Sequence, residues 1–148
     1  GTLRTYAETC TSPSALLAGL NRRLYGRGDG FATCLVLMVE PSGKLTVANA
    51  GHLNPYIDGV EIETEANLPL GLDEGVRYSE MTLQFDPNQL CTLLTDGVIE
   101  ASSPSGELYG FERTQAISNN SANSIAETAR EFGQQDDITV LTVSRSGG

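Results

Sequence analysis

The pattern of apolar and polar positions predicts a set of antiparallel strands along this chain. Residues 31–40 are apolar on both alternating faces, which is typical of a strand covered on both sides and therefore central in a layered structure. A turn at 41–44 leads back into the apolar run 45–50, so these two strands form a predicted hairpin. Asp58-Gly59 lies between two further short apolar runs and is the strongest hairpin signal in the chain.

Helical spacing of apolar residues predicts the remaining regular elements. Residues 2–10 carry this spacing from the start without a capping residue upstream, so we expect the chain to be cut from a longer one. Ser12 is the predicted N-cap of the next helix, which has proline at its first position. A short helix is predicted over residues 107–117, weakened by Gly110, and a longer one begins at a cap supplied by Ser121 or Asn123.

The order of these elements bears on the class of fold. Antiparallel hairpins come first, and helices group before and between the strands, an order that favours an α+β layered domain over a parallel sheet. A chain of 148 residues is long enough to bury one core, so a single domain over residues 1–148 is expected.

Acidic residues stand at the ends of two predicted strands. The buried-looking run 89–95 ends on Asp96-Gly97, and Asp136-Asp137 opens the last strand, 138–143. If the two strands are antiparallel, these carboxylates share one edge of the sheet. Hard oxygen ligands there suit Mg²⁺ or Mn²⁺ better than zinc. The alternative is that Asp96-Gly97 forms an ordinary turn without binding a metal, and that Asp136-Asp137 belongs to a solvated loop before the last strand.

Composition narrows the classes of function. The formal net charge is −10, which repels nucleic acid and anionic membrane surfaces, so neither is an expected partner. The hydrophobic fraction of 39% indicates a folded chain and not a disordered one. The sequence contains neither an apolar run of about 18 residues nor a signal peptide, so we expect no membrane span and no export.

The cysteines and the single histidine are candidates for nucleophilic or metal chemistry. Cys10, Cys34 and Cys91 lie at apolar positions without paired spacing, which predicts buried thiols in a reducing, cytoplasmic setting. A nucleophilic pair of His52 with Cys34 or Cys91 is an alternative, although both cysteines fall in strands predicted to be buried. One histidine and three scattered cysteines lack the ligand spacing of a zinc site.

Several motifs occur together and in a fixed order, and they cover nearly the whole chain. They are Leu-Thr-Val-Ala-Asn-Ala-Gly-His at 45–52, Leu-Pro-Leu-Gly-Leu at 68–72, Leu-Leu-Thr-Asp-Gly-Val-Ile-Glu-Ala at 93–101, Gly-Glu-Leu-Tyr-Gly at 106–110 and Asp-Asp-Ile-Thr at 136–139. In this order the motifs resemble the metal-dependent (PPM-type) serine/threonine protein phosphatases. The likeness is narrower to their bacterial branch of stage II sporulation E and sigma-factor regulators.

The resemblance implies a fold, a reaction and a set of site residues. The fold implied is a central β-sandwich with flanking helices, and the reaction is hydrolysis of phosphoserine or phosphothreonine on a protein. Asp96 and Asp136 match the aspartates that ligate a catalytic Mn²⁺ or Mg²⁺, while Asp137 and Gly97 occupy supporting positions. In such two-metal sites a metal-bound hydroxide attacks the phosphate. An anti-sigma-factor antagonist is the implied kind of phosphorylated partner.

The chain departs from the family pattern at its beginning. The family carries a Gly-Asp-x-x-Asp motif and an Asp-x-x-Gly-His-Gly segment before the position matching Leu3, and neither occurs here. We therefore expect a C-terminal portion of a phosphatase domain, in which the two-metal site is incomplete. A non-catalytic interaction module with the same fold is the alternative function. Missing strands would expose sheet edges, through which two copies of the chain could pair.

Overall fold

The computed structural model describes residues 2–28, 30–65 and 67–146, which form helices and short antiparallel strands. The helices are α1 (Thr2–Thr9), α2 (Pro13–Leu24), α3 (Asp96–Ile99), α4 (Gly110–Ile117) and α5 (Ala122–Gly133). The strands are β1 (Cys34–Val39), β2 (Lys44–Ala50), β3 (Tyr56–Ile57), β4 (Val60–Glu61), β5 (Met81–Gln84), β6 (Leu90–Leu94) and β7 (Val140–Ser144). The predicted α+β class with antiparallel sheets is confirmed.

The chain divides into two compact units, and each has its own sheet. The first unit comprises Gly1–His52 and Thr64–Phe85, and the second comprises Leu53–Glu63 and Asp86–Gly148. The single domain expected over residues 1–148 stays a prediction. Within the part of the chain that the structure describes, no helix is both long and apolar enough to cross a membrane.

The first unit contains a three-stranded antiparallel sheet in the order β1-β2-β5, together with α1 and α2. The predicted cap of α2 is confirmed, because Ser12 Oγ accepts a hydrogen bond from the backbone N–H of Ala15 at 3.3 Å. Leu16, Leu17 and Leu20 are buried on one face of this helix in a core with Ala48 and Ala50 of β2. The predicted apolar stripe therefore packs α2 against the sheet.

Strand β1 lies at a different place in its sheet than the apolar pattern predicts. Among the described residues β1 pairs only with β2, so it is an edge strand, and its last residue, Val39, is 40% exposed. The central strand is β2, in which residues 45–50 are all buried. The prediction that β1 is a central strand was wrong. Apolar residues on both faces indicate that other elements pack above and below a strand, whereas a central or edge position depends on which strands are hydrogen-bonded to it. Pairing of two chains through such an edge stays a prediction.

The second unit contains a four-stranded antiparallel sheet in the order β4-β3-β6-β7, with α3, α4 and α5. The predicted Asp58-Gly59 hairpin is confirmed: both residues have positive φ, 50° and 81°, as a tight two-residue turn requires. Asp58 Oδ1 also accepts the backbone N–H of Leu90 at 2.9 Å, which fixes the turn to the start of β6. On the helix side of the sheet, Leu94 packs with Ile125 of α5 in a buried core.

The helices of the second unit begin close to their predicted positions, with one difference. Ser121, not Asn123, caps α5, and its Oγ accepts the N–H of Ser124 at 3.2 Å. The helix predicted within 107–117 starts only at Gly110. Residues before Gly110 do not join the helix, because they are hydrogen-bonded elsewhere: the N–H of Tyr109 donates to the carbonyl of Ala101 at 2.7 Å.

One buried side chain ties the sheet of the second unit to a helix end. Thr92, in the middle of β6, is fully buried, and its hydroxyl donates to the carbonyl of Ser118 at 2.8 Å. Ser118 is the C-cap of α4, where a carbonyl would otherwise lack a partner. This bond therefore stabilises the packing of α4 on the sheet.

Candidate metal centre

Strand β6 delivers Asp96 to the edge of the sheet. Thr95 has extended backbone angles, φ −92° and ψ 166°, and Asp96 is the first residue of the short helix α3. The carbonyl of Asp96 accepts the N–H of Glu100 at 2.8 Å, while its side chain is exposed. The sequence predicted a turn or a strand end here, and the structure shows that the strand passes directly into a helical turn.

The antiparallel pairing of β6 with β7 brings the two acidic motifs to the same edge, as predicted. The last pair of the ladder is Leu94 opposite Val140. One residue further, the N–H of Thr95 donates to the carbonyl of Thr139 at 3.1 Å. Asp96 therefore follows the end of one strand where Asp136 precedes the start of the other.

Gly97 lies against the backbone of the second acidic motif. A Cβ atom placed on Gly97 would be 2.1 Å from the carbonyl oxygen of Asp137 and 3.2 Å from the side chain of Ile138. Carbon atoms of real side chains do not approach an oxygen so closely, so only glycine allows this contact. The supporting position predicted for Gly97 corresponds here to a direct backbone approach between the two acidic segments.

The loop that carries Asp136 is held at its start, at Gly133, and by hydrogen bonds within it. At its start, Gly133 has φ 145° and lies so close to Ser102 that a Cβ would be 1.8 Å from the Ser102 oxygen, and the Ser102 N–H donates to the Gly133 carbonyl at 2.8 Å. Within the loop, Gln134 Nε2 donates to the carbonyl of Asp136 at 3.1 Å. Asp136 Oδ1 accepts the N–H of Asp137 at 2.7 Å. The contact of Gly133 with Ser102 joins residues far apart in the sequence, so it could not be predicted from the sequence.

The oxygen atoms at this edge match the ligands of a hard divalent cation. Asp96, Asp136 and Asp137 are all exposed, so their carboxylates are accessible from solvent. Within residues 2–28, 30–65 and 67–146, no three side chains of His, Cys, Asp or Glu converge into a group able to hold a metal ion. Mg²⁺ is commonly held by one or two carboxylates and completes its coordination with water, so two aspartates fit this ion, whereas zinc would need a closed set of nitrogen or sulfur ligands.

The alternative nucleophilic site is disfavoured by the state of the cysteines. All three cysteines are free; Cys91 is buried as predicted, whereas Cys10 and Cys34 are only half-buried. Burial raises the pKa of Cys34 and raises that of Cys91 to about 11. A protonated thiol is a poor nucleophile. His52 lies in the first unit, where its Nδ1 is 3.2 Å from the hydroxyl of Thr33 and its backbone is held by the side chain of Asn49.

The raised pKa of Cys91 predicts a loss of stability at alkaline pH. Above pH 9.0, the ordinary pKa of a thiol, the unfolded chain releases this proton, whereas the folded chain keeps it until about pH 11. Folding stability therefore falls between these values, by up to about 2–3 kcal/mol. Urea unfolding of the wild type and of Cys91→Ala at about pH 8 and about pH 10.5 measures this effect. The advantage of the wild type should shrink at the higher pH; a constant difference would contradict the assignment.

The arrangement of two antiparallel sheets with helices is the fold of the PP2C-type phosphatases. The phosphatase domain of SpoIIE from Bacillus subtilis, solved with a fragment of its regulatory domain, superposes with a TM-score of 0.80 at 16% identity, over 97% of this chain and 47% of that one. The SiaA-PP2C domain of Pseudomonas aeruginosa gives a TM-score of 0.79 at 20% identity, over 98% of this chain and 66% of that one. At these identities the likeness concerns the fold.

The family follows from the sequence itself. The family model described as "Stage II sporulation protein E (SpoIIE)" matches residues 1–146, and the chain belongs to this family. A curated relative, Protein IcfG of Synechocystis sp., is 26% identical over 132 residues, an alignment that covers 78% of this chain and 21% of the relative. The chain thus spans about a fifth of the curated relative that it matches.

Proposed function

We propose that the protein is a Mn²⁺- or Mg²⁺-dependent phosphatase that hydrolyses phosphoserine or phosphothreonine on another protein. The observation that carries the proposal is the pairing of β6 with β7, which brings Asp96 and the Asp136-Asp137 segment to one sheet edge within a SpoIIE-family chain. Two solved relatives support the choice of cation: a SpoIIE phosphatase domain was presoaked with Mn, and RsbX was solved in complex with magnesium.

In this proposal each acidic residue has a distinct task. Asp96 and Asp136 hold the cation through their exposed carboxylates, and Asp137 and Gly97 keep the two segments in contact. When bound, a divalent cation polarises the phosphate and lowers the pKa of a bound water. The protein then needs no side-chain nucleophile, which agrees with the raised pKa of the buried Cys91 thiol.

The proposed partner is a phosphorylated protein in a bacterial sigma-factor circuit, such as an anti-sigma-factor antagonist. One similar structure contains the RsbU and RsbW domains of Rv1364c from Mycobacterium tuberculosis together, with a TM-score of 0.77 at 21% identity, over 98% of this chain and 45% of that one. The net charge of −10 disfavours nucleic acid as an alternative partner.

We place this activity in the cytoplasm, where free cysteines are the rule.

A second candidate is a protein-interaction module that keeps the phosphatase fold without catalysis. It is favoured by one observation: among the described residues, no three metal-ligating side chains form a group. This candidate predicts capture of a partner protein by a chain that binds no metal.

Mn²⁺ binding by the full-length protein, followed by calorimetry, tests the two candidates. We expect binding that Asp136→Ala weakens at least about tenfold, because removing a charged ligand leaves the cation under-coordinated. Asp86→Ala is the matched control, since Asp86 is an equally exposed aspartate of the second unit in a turn outside the acidic edge. Mn²⁺-dependent release of phosphate from a phosphoserine peptide should follow the same order of variants.

Two results of this experiment would contradict the phosphatase proposal. One is the absence of Mn²⁺ binding at millimolar metal, which together with capture of a partner would favour the interaction module. The other is equal weakening by Asp86→Ala, which would indicate a diffuse effect of negative charge and not a site.

A further inference from the structure

We propose that Thr95 is a positioning residue, whose hydroxyl sets the distance between the two aspartate-bearing segments. The inference rests on the proposed function, because it assigns Asp96 and Asp136 to one cation site. Thr95 directly precedes Asp96, and its contact, Thr139, follows Asp136 by three residues. A link between these two threonines therefore acts on both ligands at once.

Three hydrogen-bonding contacts join Thr95 to Thr139. The N–H of Thr95 donates to the carbonyl of Thr139 at 3.1 Å. The N–H of Thr139 donates to Thr95 Oγ1 at 3.0 Å, and the same hydroxyl lies 3.4 Å from the carbonyl of Thr139, to which it donates. Both backbone groups of Thr139 are thus engaged by one residue.

The hydroxyl of Thr95 takes the place of the Thr95 carbonyl in the pairing of β6 with β7. In a hydrogen-bonded antiparallel pair, each residue donates its N–H to the carbonyl of the other. The carbonyl of Thr95 is instead taken by the N–H of Val98, which closes the first turn of α3 at 3.2 Å. Because β6 turns into a helix at this point, the N–H of Thr139 donates to the side chain of Thr95 in place of the Thr95 carbonyl.

Because the side-chain hydroxyl of Thr95 takes the place of its carbonyl, β6 can pass into α3 and still be hydrogen-bonded to Thr139. The helical turn takes up the backbone carbonyls of Thr95 and Asp96, while the Thr95 hydroxyl keeps Thr139 bonded to the end of the strand. Without the hydroxyl, the N–H of Thr139 loses this partner, and the bond from the Thr95 N–H to the Thr139 carbonyl is the one backbone contact left between these two residues. Groups that orient metal ligands in this way commonly alter metal affinity about 10- to 100-fold when removed.

The test compares Thr95→Val, Thr95→Ser, Thr92→Val and, as a control for the proposed site, Asp96→Asn, in the full-length protein, by Mn²⁺ calorimetry and by thermal unfolding without metal. Thr95→Val keeps the shape of the side chain and removes the hydroxyl, and we expect its Kd for Mn²⁺ to rise about tenfold or more. Thr95→Ser keeps the hydroxyl and should stay within about twofold of the wild type. Thr92→Val removes a buried hydroxyl on the same strand, bonded to Ser118 at 2.8 Å, so it should lower the melting temperature and leave the Kd unchanged.

Phosphate release as a function of Mn²⁺ concentration provides a second readout. If Thr95 acts through the ligands, the rate of Thr95→Val should recover to within about threefold of the wild type at saturating Mn²⁺, because the ligands themselves are intact. A residue that took part in the chemistry would leave the saturated rate low.

Each contrary outcome has one meaning. An unchanged Kd for Mn²⁺ in Thr95→Val overturns the inference. A rise in the Kd of Thr92→Val that accompanies its lower melting temperature also overturns it, since metal affinity would then follow stability alone. Failure of Asp96→Asn to weaken Mn²⁺ binding would instead overturn the proposed site, independently of Thr95. Failure of serine to restore affinity would assign the effect to the methyl group and also overturn the inference.

Discussion

Replacing Gly97 with alanine should unfold the acidic edge of the second unit more than any conservative change on its surface. The new Cβ would lie 2.1 Å from the backbone oxygen of Asp137 and 2.9 Å from its carbonyl carbon. Backbone atoms cannot rotate away as a flexible side chain can, so the Asp137 segment must move. We expect a loss of about 3 kcal/mol in the free energy of unfolding, which corresponds to roughly 10 °C in melting temperature.

The matched control for this prediction is Gly30→Ala. At both glycines φ lies outside the left-handed region, and among the described residues other than its chain neighbours no atom lies within 4 Å of a Cβ placed on Gly30. Gly30→Ala should therefore change stability by less than about 1 kcal/mol, in either direction. Urea unfolding of both variants gives the comparison. Equal stability of Gly97→Ala and the wild type would mean that Gly97 does not lie against Asp137 in solution.

The same steric clash of Gly97→Ala should also weaken Mn²⁺ binding at the proposed site in protein that is still folded. The Asp137 segment can move only by carrying Asp136 with it, because the two are adjacent and the N–H of Asp137 donates to Asp136 Oδ1. Under conditions where Gly97→Ala is still folded, its affinity for Mn²⁺ should consequently be lower than that of the wild type.

Elements that depend on neighbouring residues could be predicted from the sequence. The Asp58-Gly59 turn requires positive φ at both positions, and asparagine, aspartate and glycine are the residues that tolerate it. Ser12 and Ser121 cap helices because their hydroxyls reach N–H groups three residues away. In each case the partner is within a few positions, so the residue types indicate the turn or the cap, although at α5 they allowed both Ser121 and Asn123.

Contacts across long sequence separations could be predicted only in outline. The shared edge of Asp96 and Asp136 followed from two strand ends and one assumption, that the strands are antiparallel. The approach of Gly97 to Asp137 could not be predicted, because glycine after aspartate is equally typical of a turn. The hydroxyl link from Thr95 to Thr139 depends on α3 starting at Asp96, and α3 is only four residues long, too short for a periodic pattern.

Replacing Asp96 with asparagine should abolish most of the proposed phosphatase activity while the protein stays folded. Asparagine keeps the size and one oxygen of the side chain but removes the negative charge that holds a divalent cation. We expect Mn²⁺-dependent phosphate release to fall roughly 100- to 1,000-fold, about 3–4 kcal/mol of transition-state stabilisation. The free energy of unfolding should change by less than about 0.5 kcal/mol, since the side chain is exposed.

The chain contains a closely matched control for this substitution in Asp58→Asn. Asp58 also precedes a glycine and belongs to the same unit, but it binds the N–H of Leu90, at the opposite end of β6 from Asp96. Asparagine can accept that bond and tolerates positive φ, so activity should stay within about twofold of the wild type. A full loss in Asp96→Asn with none in Asp58→Asn would locate the chemistry at the β6–β7 edge. Equal activity of the two variants would exclude Asp96 as a metal ligand. The loss of one negative charge would then have the same effect at Asp96 as at Asp58, which lies at the other end of β6.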